Sequence, residues 1–303
     1  MHFSLVRISP PDSAPSYGLD DAILPLFHAL RSLGYETEIL INRSNPRSRN
    51  IVFGSCRAPR KTGRSLPKSS IIFNLEQIRD GSGWVNRDYL AHLRDFSVWD
   101  YSPGNIAALD ALGIRSVEHV PLGYVPEMTR ISRDVPRDVD IVFYGLINER
   151  RHAVIKGLCD AGLKVLATQE AFGNVRDALL ARSRLLLNVH YSVPAKLELV
   201  RLGYAFANSR AVLSEWRADT EVPAGLEDSC AFFPYEELLD GARLLLADAG
   251  RRKKQEEAAF RAFSAMPLAR TLEKLLGRRA AAIRLSGEES GAIPEWHIRE
   301  EDS

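Results

Sequence analysis

HYSVPAKLELVRLGYAFANSRAVLSE, residues 190 to 215, carries the pattern of a strand-end loop, a helix and a second strand. Just before it, Leu185, Leu186, Leu187, Asn188 and Val189 predict a buried parallel strand that stops at the polar pair His190 and Tyr191. Pro194 suits the opening of a helix whose apolar residues Leu197, Val200, Leu202, Tyr204, Ala205 and Phe206 fall mainly on one side, with Asn208 as a left-handed cap. Ala211, Val212 and Leu213 predict the next strand, closing at Ser214 and Glu215. Such a strand-helix-strand unit belongs in an open α/β sheet, where ligands sit at the carboxyl ends of the strands, and His190 and Glu198 lie at that end.

Outward from this unit the same rhythm continues in both directions. Strands are predicted at Phe3–Ile8, Thr37–Ile41, Ile51–Phe53, Ile71–Leu75, Phe96–Trp99 and Ser116–Val120, and then at Ile141–Tyr144, Leu163–Ala167 and Ser229–Phe233. Helices are predicted after Asp20 and Asp21, at Pro103–Leu112, near Glu149, at Val175–Arg182, and over Tyr235–Ala249, Lys253–Phe263 and Leu268–Leu276. Ser9 to Gly18, with its prolines, and the basic stretch Arg57 to Lys68 read as loops. Pro121, Leu122, Gly123 and Tyr124 punctuate the chain as a linker does. The expected organisation is a domain over residues 1–122, a second over 123–277, and a polar tail over 278–303 that is in part disordered.

At 303 residues the chain accommodates two domains of ordinary size. With 40 basic and 39 acidic residues it has no global field for nucleic acid, so no nucleic-acid partner is expected. Cys56, Cys159 and Cys230 have neither metal-ligand spacing nor an even count, which fits a reducing cytoplasm. The start, MHFSLVRIS, lacks the order of a signal peptide, and no apolar run is long enough for a membrane span.

The central unit resembles the nucleotide-binding half of a GT-B glycosyltransferase, in which a Glu, seven residues and a second Glu precede a small-residue helix and a short valine-rich strand. Glu198 holds the second glutamate's place, His190 the first's, and Asn208 the usual helix-end glycine's. The Asn188, Val189, His190 sequence is similar to that of bacterial family 1 glycosyltransferases, including proteins related to spore-coat glycosyltransferases. The resemblance implies two Rossmann-like domains facing a cleft, the linker at Pro121–Tyr124 as hinge, and last helices that pack back over it. It also implies a nucleotide-sugar donor as substrate, with no separate cofactor, and an acceptor that is a glycan, protein or small molecule.

Sugar transfer requires stabilisation of a departing diphosphate, by a metal or by basic side chains and a helix N-terminus. Gly145 lets the backbone approach a phosphate, and Arg150 and Arg151 occupy a first helical turn where the helix dipole alone would not place cations; each reads as a diphosphate ligand or a surface arginine, and the resemblance favours the pair as ligands. Lys196 reads as a phosphate neutraliser or an exposed lysine, and Tyr191 as a stacking surface for a base or a packing residue. Glu198 reads as a ribose acceptor or a dipole-stabilised first-turn carboxylate, and His190 as a donor to a phosphate or sugar oxygen or a satisfied sheet-edge histidine. Among Glu76, Asp100 and Asp20, carboxylates near predicted strand ends, Glu76 is the first choice of general base; its alternative is an acceptor for nearby backbone donors. Asp138 and Asp140 spell a cation-binding pair but precede a strand instead of following one, so no metal site is expected. A nucleotide-sugar epimerase, and a catalytically silent module that binds a protein or glycan, stay open beside the transferase.

Overall fold

The computed structural model describes residues 1–10, 14–58, 65–79, 81–193 and 196–285. Pro194, the middle of the expected basic loop at 59–64, and residues 286–303 of the expected tail lie outside the described residues.

Two parallel sheets form. The first takes β1 (His2–Arg7), β2 (Glu36–Ile41), β3 (Arg49–Phe53), β4 (Ile71–Asn74), β5 (Ser97–Asp100) and β6 (Val117–His119), in the order β2-β1-β3-β4-β5-β6. The second takes β7 (Val139–Tyr144), β8 (Val165–Thr168), β9 (Ser183–Asn188), β10 (Val212–Glu215) and β11 (Ala231–Phe233), in the order β11-β10-β9-β7-β8. The register pairs Leu186 with Val142 on one side and with Val212 on the other, so β9 is central.

Alternation along the strands divides the core. In β7 and β9, Ile141, Phe143, Leu185 and Leu187 face one hydrophobic cluster, while Val142 and Leu186 face another. Both sides of these strands are buried, and their apolar runs are therefore nearly continuous. The cluster holding Val142 and Leu186 also holds Phe3, Leu5, Ile51, Phe53 and Phe73 of the first sheet, so one apolar layer joins the two sheets.

The helices are α1 (Asp20–Ser32), α2 (Arg87–Asp95), α3 (Pro103–Ala111), α4 (Glu149–Asp160), α5 (Gly173–Arg182), α6 (Leu199–Ala207), α7 (Leu238–Ala247), α8 (Ala249–Ser264) and α9 (Leu268–Leu285). The shared layer is filled from α1 by Ile23 and Leu26, from α6 by Leu202 and Phe206, from α8 by Phe263 and from α9 by Leu272 and Leu276. The last helix packs on the first, α9 against α1. Where the chain passes between the sheets it is bonded to its own return: Tyr124 N donates to Met266 O at 2.9 Å and Leu268 N to Tyr124 O at 3.0 Å. A side chain on Gly123 would meet Met266 O at 2.5 Å, which is why glycine stands there.

Several expectations change. Helix α6 starts at Leu199, with Glu198 at its N-cap position. Asn208 has φ −106 and is no left-handed cap; the left-handed residue is Ser209, φ 50. The Asn208 amide instead accepts from Arg130 N and Ile131 N at 2.7 and 2.9 Å and donates to Met128 O at 2.8 Å, binding the connecting segment to the end of α6. Ala14–Leu19, which begins within the expected loop Ser9 to Gly18, is a 3-10 turn. Helix α9 continues past Arg278 to Leu285, into the expected tail. Helix α2 was not expected: its polar sequence hides a face with Tyr89 and Leu93 buried, and Asn86 caps it by accepting from Tyr89 N at 2.9 Å.

Candidate functional site

At the carboxyl end of the second sheet, β7 stops at Gly145, whose φ of 130 is open to glycine and strained for any other residue. Asn148 then caps α4: its Oδ1 accepts from Arg151 N at 3.1 Å and its Nδ2 donates to Tyr191 O at 2.7 Å. One side chain therefore fixes both the start of α4 and the loop after β9.

Arg151, 4% exposed, lies beneath this turn. It donates from Nε to Val189 O and from Nη1 to Leu146 O, both at 2.8 Å, and from Nη2 to Glu198. From the other side Arg201 donates to Tyr144 O at 2.7 Å, to Asn188 Oδ1 and to Glu198 Oε2, the last at 2.8 Å. Glu198 is thus held by two guanidinium groups, one per oxygen. Burial works against its charge, but Arg201 and Arg151 outweigh burial and keep the carboxyl below its ordinary range. A Cβ on Gly145 would lie 3.5 Å from Arg201 Nη1 and 3.9 Å from Arg151 Nη1, so the glycine sits directly over the arginine pair.

His190 is 1% exposed. Its backbone N donates to Glu215 at 3.0 Å, its Nε2 is 3.4 Å from Thr220 Oγ1, and among the described residues its buried Nδ1 has no hydrogen-bond partner. Burial lowers its pKa from 6.5, with Arg150 and Arg151 acting the same way against Glu198 and Glu215, so the ring is neutral at neutral pH. Arg150 forks onto the fully buried Glu215, donates to His190 O at 3.1 Å and lies 4.0 Å from the centre of the Tyr235 ring. Tyr191 is exposed, with the Arg151 guanidinium 5.2 Å from its ring centre. Gly145, Arg150, Arg151, His190, Tyr191 and Glu198 therefore meet in one place.

Lys196 stands apart from that group. It pairs with Glu221, which also accepts from Ser102 Oγ at 2.9 and 3.0 Å, so this pair ties the second sheet's loops to the cap of α3. Nearby, Arg79 donates to Ser192 Oγ at 2.6 Å, bringing the loop after β4 to the loop after β9.

Glu76 lies in that β4 loop. Its Oε1 accepts from Cys56 Sγ at 3.3 Å, and burial raises its pKa against the opposing effects of Cys56 and Arg57. Asp100 is fully buried, accepting from Asn74 Nδ2 at 2.5 Å, Ser102 N at 2.8 Å and Asn105 Nδ2 at 3.2 Å; burial still raises its pKa to about 6. Asp20 pairs with Arg7 at 2.5 Å. Burial first, then the charges of Asp100, Glu76, Glu221 and Glu198, raise the phenol pKa of Tyr101.

The aspartate pair lies elsewhere. Asp138 just before β7 is forked by Arg182 at 2.8 and 2.5 Å, and Asp140, inside β7, pairs with Arg184 at 2.8 Å. Both are at the amino end of the sheet. Among the described residues no group of three or more His, Cys, Asp or Glu side chains is arranged to hold a metal ion.

Sequence reasoning missed Arg201, Glu215, Tyr101 and Asn148. Arg201 was legible as a lone cation in the apolar run Leu199–Ala207, three residues after Glu198. Asn148 was legible as a cap residue just before a helix.

No protein-family model matches the chain. An uncharacterized protein of Acanthamoeba polyphaga mimivirus is 26% identical over 180 residues, covering 57% of this chain and 57% of that protein. A second uncharacterized mimivirus protein is 30% identical over 128 residues, 40% of this chain and 14% of that one. The chain thus spans little more than half of the first relative and a small part of the second. Solved structures match over almost the whole chain. A glycosyltransferase involved in avilamycin A biosynthesis gives a TM-score of 0.63 at 15% identity, covering 93% of this chain and 98% of that one. The sucrose-phosphate synthase of Thermosynechococcus elongatus gives 0.60 at 11% identity, covering 93% and 100%. The Anabaena protein HepE in complex with UDP and glucose gives 0.59 at 10%, covering 93% and 100%. Two parallel sheets with flanking helices, arranged as in these enzymes, give this chain a GT-B glycosyltransferase-like fold.

Proposed function

We propose that the chain is a glycosyltransferase that moves a sugar from a nucleotide-activated donor to an acceptor without a metal ion. The observation that carries this reading is the cluster of Arg151, Arg201 and Glu198 under the Gly145 turn, at the carboxyl ends of β7 and β9 in a GT-B-like fold. In this reading residues 1–122 form the acceptor side and residues 123–277 the donor side.

Glu198, kept ionised and oriented by its two arginines, accepts hydrogen bonds from the ribose hydroxyls. The donor diphosphate lies over Gly145 at the N-terminus of α4, where unpaired backbone N–H groups and the helix dipole favour an anion. Arg150 and Arg151 add positive charge beneath it, the neutral His190 offers Nδ1 to a phosphate or sugar oxygen, and Tyr191 presents its ring to the base. Lys196 approaches from the side of its pair with Glu221. Glu76, whose raised pKa suits a proton acceptor, takes the proton of the attacking acceptor hydroxyl. The complexes of HepE with UDP and with UDP and glucose support a nucleotide-sugar donor by analogy of fold.

A thermal-shift screen with UDP, GDP, dTDP and CMP sugars tests the reading. A specific donor at 100 times its Kd adds about 2.7 kcal/mol of stability. No shift with any of them sinks it and favours a silent binding module; turnover of donor without acceptor favours an epimerase. Once an acceptor is known, transfer is expected to survive excess EDTA, and loss restored by manganese would return Asp138 and Asp140 to consideration.

A further inference from the structure

A second basic cluster lies away from this site, on the segment that connects the sheets. There a groove of about 520 Å³ runs between residues 133–137 and helix α8, with Ser209 between them. Its walls carry Arg133, Arg137, Lys253 and Arg261 against Glu256 and Glu257, with Phe260 as an apolar patch. Glu256 is already engaged by Arg137. Arg133, exposed, touches Ser209 Oγ at 2.8 Å, and Lys253 and Arg261 are exposed on α8.

Beside the groove is Arg210, 2% exposed. Its Nη2 donates to Ser132 O at 3.0 Å, while its buried Nε has no partner among the described residues. Burial first, then Arg137 and Arg133, lower its pKa to about 10, with Glu256 opposing. A buried guanidinium crowded by two others, with an unsatisfied N–H, is costly unless an anion compensates it. The segment is rigid enough to be a site, because Asn208 fixes Arg130 and Ile131 and the left-handed Ser209 turns Arg210 inward.

We infer that this groove is a second ligand site, which takes a free phosphorylated small molecule with at least two negative charges. Its volume is that of a small-molecule pocket, and the excess of guanidinium groups suits the paired oxygens of a phosphoryl group. The charge is local, since the chain as a whole is nearly balanced.

The probe is inorganic pyrophosphate, titrated calorimetrically into the full chain. Binding is expected, with affinity about tenfold weaker in the double variant Arg133→Ala, Arg261→Ala and unchanged in the remote Arg115→Ala. Melting temperatures show whether each variant is folded, and the single exposed change Lys253→Ala, expected to weaken binding several-fold, serves if the double variant is not. Because the variants lie in the groove alone, pyrophosphate bound over Gly145 would be unaffected by them. Unaltered affinity in the folded groove variants overturns the inference, as does absence of binding at about 1 mM. Association with anionic phospholipid vesicles but not with pyrophosphate also overturns it.

Discussion

At the carboxyl end of the first sheet, Asn74, Tyr89, Asp100 and Asn105 share hydrogen bonds among amides, a phenol and one carboxyl of raised pKa. At the carboxyl end of the second, Arg151 and Arg201 hold Glu198, and Arg150 holds Glu215. Both ends are buried and both are densely bonded, so burial alone does not decide the state of a carboxyl. The neighbours do: three neutral donors leave Asp100 above its ordinary value, whereas two guanidinium groups bring Glu198 below its own.

The largest effect is expected at the charged end. Arg201→Met leaves Glu198 half paired and Tyr144 O without its donor, and is expected to cost about 3 to 5 kcal/mol in urea unfolding. A loss under about 1 kcal/mol would show that the cluster does not hold this end together. The neutral end is sharpened by pH. Asp100 has a folded pKa of about 6 against an ordinary 3.8, so between these values the folded state binds more protons than the unfolded one. Its contribution therefore makes stability fall as pH rises from about 4 to about 6, by up to about 3 kcal/mol. Asp100→Asn should remove that part of the slope; an identical pH profile in the variant would contradict the assignment.

Smaller effects concern the ligand and the tie of Lys196 through Glu221 to Ser102. Glu198→Ala is expected to weaken nucleotide binding by about 1 to 3 kcal/mol, read by calorimetry with the nucleotide that stabilises the chain. Equal affinity in a folded variant would leave Glu198 a purely structural residue. Lys196→Met, which loosens the tie through Glu221 to Ser102, should cost less than about 1 kcal/mol, because the pair is partly exposed. A larger loss would mean that the two ends depend on each other.

The strands were legible because a buried parallel strand leaves a short apolar run, and Leu185–Leu187 and Ile141–Phe143 could hardly be anything else. Helix α2 was not, since Arg87, Asp88, Arg94 and Asp95 mask a buried face that only packing reveals. At the candidate site, the position of Glu198 was readable from its strand-end loop. Its partners were not: the contact with Arg151 spans 47 positions and that of Arg150 with Glu215 spans 65, and no local pattern encodes such pairings. Asn208 shows the converse. Its place at a helix end was legible, but the backbone freedom expected of it passed to Ser209 and its amide was used to hold a distant segment.

The packing of α9 on α1 has a consequence for how the chain is made. Leu272 and Leu276, near the far end of the described chain, cover apolar surface that Ile23 and Leu26 present near its beginning. On the ribosome the first sheet and α1 are complete long before α9 emerges, so the part of that surface which α9 covers waits until then. The closure by α9 is then a long-range one, which costs loop entropy before it returns contacts and is slow for that reason. A chain stalled or cut before Leu268 would keep its first sheet and carry an open apolar face, a ready target for chaperones and for self-association.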